Sequence, residues 1–251
     1  MKNSITVYYA DVCGNPQNCQ YSHKGTAITP EELKLCMAWD HVFIRFKGNY
    51  RTGKNFEEAV TAVFDCDNDF TEDAARWISP EDIPRLFPGV SCAISTSRHH
   101  MKQKGSKSPR PRFHVIFAIE PITDPAEYTA FMKSVQQMYP FFDDNALDAA
   151  RFFFGNPDTE VTFYEGNNTL TAFIEEEVAD LEICAYSTYA RLLVQDTPTL
   201  YLQTRTQLRI KCTGLQTNLC NRNNRRQRLA TETHSAKREQ ILGTRYLAGG
   251  M

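Results

Sequence analysis

Two aspartates separated by one residue close an apolar, β-branched run, in which Ala59 to Cys66 leads into Phe64-Asp65-Cys66-Asp67-Asn68-Asp69. On a strand, residues i and i+2 share a face and stand about 7 Å apart. Asp65 and Asp67 are therefore expected on one face, while Ala62, Phe64 and Cys66 bury the other. Carboxylates so placed repel unless a cation lies between them, and hard oxygen donors suit Mg²⁺ or Mn²⁺. A third carboxylate from elsewhere would complete a two-metal phosphoryl-transfer site. A solvated acidic turn is the plainer alternative. An EF-hand is excluded, because the glycine and the closing glutamate of that loop are missing.

The second block is Arg110-Pro111-Arg112-Phe113-His114-Val115-Ile116-Phe117. With period two, Phe113, Val115 and Phe117 enter a core, and Arg110, Arg112 and His114 form a row on the opposite face. Guanidinium groups bind phosphate oxygens bidentately, so this row is expected to hold a polyphosphate. Just upstream, Ser97 to Arg112 is a long polar connection that includes Arg98, Lys102, Lys104 and Lys107. Connections of this length in compact domains are usually functional or disordered, and these cations are further phosphate candidates. In the third block, Phe141-Phe142-Asp143-Asp144 precedes Arg151-Phe152-Phe153-Phe154-Gly155, read as a short strand carrying Arg151. Asp143 or Asp144 could be the third carboxylate, or could cap a helical turn. Arg151 could take phosphate charge or pair with Asp148.

Strands and capped helices must position these groups. Thr29-Pro30-Glu31-Glu32, Ser79-Pro80-Glu81-Asp82 and Asp124-Pro125 each read as a helix start, with a capping side chain and an N1 proline. Tyr128, Phe131, Met132 and Val135 follow the last at i, i+3, i+4, i+7. Val90–Thr96 and Phe113–Ile119 read as strands beside Ala59–Cys66. The pattern becomes more helical from about Asn167. Alternating strands and helices give a mixed α/β or α+β sheet protein.

Length and composition suit a soluble globular chain: 251 residues, 41% hydrophobic and 23% charged. No apolar run approaches the roughly 20 residues that span a bilayer, and no secretory leader is visible, so a cytoplasmic protein is expected. Eight scattered cysteines form no disulfide ladder. Cys13 and Cys19 with His23 lack the CxxC pair of a zinc site, so zinc is not expected. The net charge of −2 conceals ten Lys/Arg against two Glu from Gln203 onward, a basic segment suited to a polyanion.

The three blocks, in order and with their flanks, resemble the archaeo-eukaryotic primase superfamily, specifically the primase–polymerase domains of plasmid, phage and integrative-element replication proteins. The resemblance runs from about Val7 to Pro157. It rests on Val63-Phe64-Asp65-Cys66-Asp67, on Arg112-Phe113-His114-Val115 and on Phe142-Asp143, with Trp77-Ile78-Ser79-Pro80-Glu81-Asp82, Ser97-Arg98-His99-His100-Met101-Lys102 and Ala146-Leu147-Asp148-Ala149-Ala150-Arg151-Phe152 as flanks. It implies an α+β fold, with an RNA-recognition-motif-like mixed sheet as catalytic core beside a small α/β module. The expected domains are a catalytic one over 1–175 and a helical, basic C-terminal segment over 176–251. The implied activity is template-directed nucleotidyl transfer on single-stranded DNA, making primers, extending them or both, in mobile-element replication. Asp65, Asp67 and Asp143 would hold two divalent ions, Mg²⁺ or Mn²⁺. His114 would contact the phosphates of an incoming NTP or dNTP, with Arg110, Arg112, Lys102, Lys104 and Arg151 around them. Many members carry a small residue where this chain has Arg112, which bears on the shape of the nucleotide pocket. Arg222, Arg225, Arg226 and Arg228 are expected to bind DNA, and a replicative helicase is a candidate partner.

Two rival readings use the same residues differently. A rolling-circle nickase needs two histidines separated by one hydrophobic residue and a nucleophilic tyrosine; here His99 and His100 are adjacent and His114 stands alone. A non-enzymatic origin-binding initiator would use the basic segment but leaves the Asp-x-Asp without a role.

Overall fold

The computed structural model describes residues 4–145 and 147–179, all within the compact unit Met1–Glu182. The expected basic segment, with Arg222, Arg225, Arg226 and Arg228, lies outside the described residues. Two antiparallel sheets organise the chain. The smaller has the order β2-β1-β3, from β1 (Ile5–Tyr9), β2 (His23–Ala27) and β3 (His41–Val42), with helix α1 (Pro30–Met37) between β2 and β3. The larger has the order β4-β5-β7-β6-β8, from β4 (Arg45–Phe46), β5 (Phe56–Cys66), β6 (Cys92–Thr96), β7 (Phe113–Ile122) and β8 (Val161–Tyr164). α2 (Ile83–Leu86) precedes β6, α3 (Pro125–Met138) follows β7, and residues 170–179 are helical.

The class is α+β. The large sheet departs from the expected mixed one in that all its strand pairings are antiparallel. β5 and β6 run in the same direction, but β7 inserts between them, so no parallel ladder forms. The helix starts fall where the caps place them. Thr29 and Glu32 form a reciprocal capping box at α1, Ser79 and Asp82 do so before α2, and the Asp124 carboxylate accepts from the backbone N–H groups of Ala126 and Glu127. Arg151–Phe154, by contrast, is not a strand. It is an extended segment held by one bridge, in which His41 N–H donates to Phe153 O at 2.9 Å and Phe153 N–H to His41 O at 2.8 Å.

The large sheet is buried on both faces. Phe64, Ile94, Val115 and Phe117 point into a core shared with Ile83, Tyr128, Met132, Val135 and Leu170 of the helical layer. The opposite residues Val63, Ala93 and Ile116 pack with Ile5, Val7, Leu33, Met37, Phe43 and Phe153 of the small module. This second face carries the chemistry, because Asp65 and His114 share its parity.

Candidate active site

β5 and β7 pair in register with Asp65 opposite His114, and β6 places Ser95 opposite His114 on its other side. Directly opposed residues of an antiparallel pair have their Cβ atoms about 5 Å apart on one face, so ladder geometry alone brings carboxylate and imidazole together. His114 Nε2 lies 3.4 Å from Asp65 Oδ1, and Arg151 Nη2 donates to Asp65 Oδ2 at 2.8 Å. Asp65 Oδ1 is buried and accepts no hydrogen bond, and His114 Nδ1 and Arg151 Nε are likewise buried without hydrogen-bond partners. Arg151 therefore pairs with Asp65, not with its near neighbour Asp148.

Asp67 stands one residue past β5, where Asn68 turns the chain with φ of 56°, a left-handed conformation that asparagine tolerates better than most residues. The buried Asn68 amide donates to Ile78 O and Pro111 O, both at 2.8 Å, and its Oδ1 accepts from Ile78 N–H at 2.7 Å. One side chain thus fixes the strand end against two other segments. The Asp67 carboxylate receives Lys104 Nζ at 2.6 Å, with Arg112 Nε 4.0 Å away. Phe142 stacks on Phe64 at 4.7 Å, and Asp143 N–H donates to Asp65 O at 2.9 Å, so Asp143 is docked on the backbone beside Asp65. The Asp143 carboxylate accepts from the backbone and side chain of Asn145.

A cavity of about 290 Å³ opens over this face, lined by Asp65, Asp67, His114, Lys104, Arg98, Arg151, His41 and the aromatic run at 152–154. Lys102 is exposed and does not line it. Arg110 and Arg112 also do not. Both precede β7 and are completely buried (0% exposed), so the expected row of Arg110, Arg112 and His114 on one strand face does not form. Arg110 donates to Glu72 Oε2 at 2.5 Å and to Asn68 O at 3.1 Å, and stacks over Trp77. Arg112 donates to Lys102 O and to Asp69 Oδ1. Their role here is to pin the acidic loop after β5 to the basic connection before β7. The neighbouring Arg110 and Lys107 hold the Glu72 carboxyl down at about 2. The long connection is ordered rather than loose: Lys104 and Lys107 exchange backbone hydrogen bonds, and Lys107 pairs with Glu72.

Sequence reasoning passed over two adjacent residues, His41, which lines the cavity, and Asp40 before it. Asp40, fully buried, accepts the N–H groups of Gly14, Asn15 and Gly155, each at 2.7 Å. Gly14 has φ of +84°, which suits glycine, and a Cβ at Gly155 would lie 2.4 Å from Ala38 O. His41, 1% exposed, donates Nδ1–H to Trp39 O at 2.8 Å, and its Nε2 has no hydrogen-bond partner. Burial pushes its pKa down to about 4, so the ring is neutral at pH 7. An Asp-His pair at the end of an α1 that begins with a clear cap was the available signal, since a charged residue directly before an apolar strand has to find buried partners.

Asp65 Oδ1, with unspent lone pairs and Asp67 beside it on the cavity wall, suits a hard divalent cation, whereas Asp143 does not line the cavity and its carboxylate is turned onto Asn145. Among the described residues, no three His, Cys, Asp or Glu side chains already converge as a metal cage, Cys13, Cys19 and His23 included. Comparison with known proteins gives one structural likeness. No protein-family model and no curated protein matches the chain. The AEP domain of the cyanophage S-2L primase–polymerase superposes with a TM-score of 0.38 at 10% identity, covering 68% of this chain and 88% of that one. No helix among the described residues is long and apolar enough to cross a membrane.

Proposed function

We propose that this chain carries out template-directed nucleotidyl transfer on single-stranded DNA, as a primase–polymerase of a mobile element. The observation that carries the reading is the in-register Asp65–His114 pair on the cavity wall, beside Asp67 and with Asp65 Oδ1 free of hydrogen bonds. Asp65 and Asp67 would hold Mg²⁺ or Mn²⁺, which on binding supplies charge neutralisation and a lowered hydroxyl pKa.

The chain's own residues do the rest. Arg151 orients the Asp65 carboxylate through Oδ2, leaving Oδ1 directed at His114. Lys104 lines the cavity and meets the triphosphate charge of an NTP or dNTP. His114 contacts the phosphates, its ring held edge-on against Phe153 at 5.1 Å. In the reaction, the 3′ oxygen of one nucleotide forms a bond to the α-phosphorus of the next. The bond from that phosphorus to the pyrophosphate oxygen breaks, pyrophosphate leaves, and the hydroxyl proton passes to solvent water. Arg110 and Arg112, being buried, stay outside this chemistry and hold the loop that follows Asp67.

Labelled-nucleotide incorporation on a single-stranded template tests the proposal. Asp65→Asn and Asp67→Asn should each lower the rate about a thousandfold or more, the worth of several kcal/mol of transition-state stabilisation. Near-native incorporation by both variants would refute it.

A further inference from the structure

Beside the cavity, two guanidinium groups lie on two aromatic rings. The His41–Phe153 bridge holds residues 152–154 extended, so Phe153 turns inward (5% exposed) and Phe152 and Phe154 share the opposite, half-buried face. Their rings meet edge-on at 5.0 Å. Arg51 stacks over Phe152 and Arg98 over Phe154, each with the guanidinium carbon 4.5 Å from the ring centroid. Neither arginine forms an ion pair with a carboxylate among the described residues. Arg51 donates to Ala150 O and Asn18 O, while Arg98 is exposed.

Two cations without acid partners, on a continuous row of π surfaces, complement a ligand that is both polyanionic and flat-faced. Phosphates answer the charge, and bases stack on rings and on guanidinium planes. Phe152, Phe154 and Arg98 also line the cavity that holds Asp65 and His114, so a strand on this row runs directly into the site.

We propose that the Arg51–Phe152–Phe154–Arg98 row is the binding surface for the single-stranded DNA template, gripping it by its bases. The inference rests on the nucleotidyl-transfer reading for its place in the reaction, but its test needs neither metal nor turnover. Binding of a short fluorescein-labelled oligothymidylate by the full chain is measured by anisotropy, alongside an abasic strand of equal length. Both strands are also tested on a full chain with Arg222, Arg225, Arg226 and Arg228 changed to Gln, which removes the other expected DNA contact.

Phe154→Leu should weaken oligothymidylate binding about five- to a hundredfold, the worth of one stacked base. It should leave abasic-strand binding unchanged. Arg98→Gln should reduce the log–log salt slope by about 0.7. Unchanged oligothymidylate affinity and salt slope in Phe154→Leu and Arg98→Gln, with native circular dichroism, would overturn the proposal. So would equal losses on the abasic strand. Base-dependent binding by a chain that incorporates no nucleotide would instead refute the activity and leave this surface standing.

Discussion

Replacing Asp40 with alanine should loosen the active site without touching any group that meets a nucleotide. In the native chain one buried carboxylate accepts three backbone N–H groups, each at 2.7 Å. The Gly155 bond is buried, and those to Gly14 and Asn15 are partly so. An orphaned buried donor costs about 1–3 kcal/mol, and donors that water can reach cost less. The total comes to about 2–5 kcal/mol, or a fall of about 4–20 °C in melting temperature for a unit of this size. Asp40→Asn should recover part of the loss, because an amide oxygen at the Oδ1 position still accepts from Gly14 and Gly155 while the amide N–H faces the Asn15 N–H. The assay is thermal unfolding followed by circular dichroism, with nucleotide incorporation measured on the same samples below the transition. Since Gly155 ends the segment carrying Phe152, Phe153 and Phe154, incorporation should fall even where the chain is fully folded. A variant with unchanged melting temperature and unchanged incorporation would refute the reasoning.

The remaining predictions concern His41, Arg112 and His114. His41 is held neutral with its pKa near 4, below the unfolded value of about 6.5. Its contribution is therefore present above pH 6.5 and is lost as pH falls toward 4, by about 3 kcal/mol in all. Urea unfolding of the native chain and of His41→Phe between those limits should give a shallower pH dependence in the variant. Arg112→Gln should act as a stability mutation, lowering the melting temperature by about 6–20 °C, as expected for breaking a buried ionic network. A raised nucleotide KM at native stability would instead return Arg112 to the phosphate site. His114→Ala should lower incorporation about ten- to a hundredfold, the worth of one charge-assisted contact. Nucleotide-free affinity for single-stranded DNA should stay constant, as read by anisotropy.

The sequence made local structure legible where a few adjacent residues decide it. The capping boxes at Thr29 and Ser79 and the Asp124 cap set three helix starts, and β-branched runs marked β5, β6 and β7. Asp65 and His114 were visible as candidates singly, but their pairing depends on a register between strands about fifty residues apart. Projecting period two backward through Pro111 placed Arg110 and Arg112 on the His114 face. β7 begins only at Phe113, and carboxylates from the distant 67–72 loop draw both guanidiniums into the interior. Arg151–Phe154 looked like a strand because it is apolar, yet a single bridge at Phe153 suffices to extend it. Asp40 and His41 gave little warning, since the buried Asp40–Gly155 bond spans 115 residues and His41 pairs with Phe153, also more than a hundred residues away.

That distance has a consequence for how the molecule is made. The bond joining Asp40 to Gly155 spans 115 residues, and Cys13 reaches Gly155 across 142. Contacts so remote in sequence close large loops before they return any stabilisation, which slows folding. During synthesis the N-terminal strands emerge first, while the segment that completes their hydrogen bonding follows far behind. The cavity wall is thus a late product of folding. A nascent chain stopped short of Phe153 can pair β1 with β2 and β3, but His41 and Asp40 still lack their partners at Phe153 and Gly155, so its first-built module is the one that must wait longest to close.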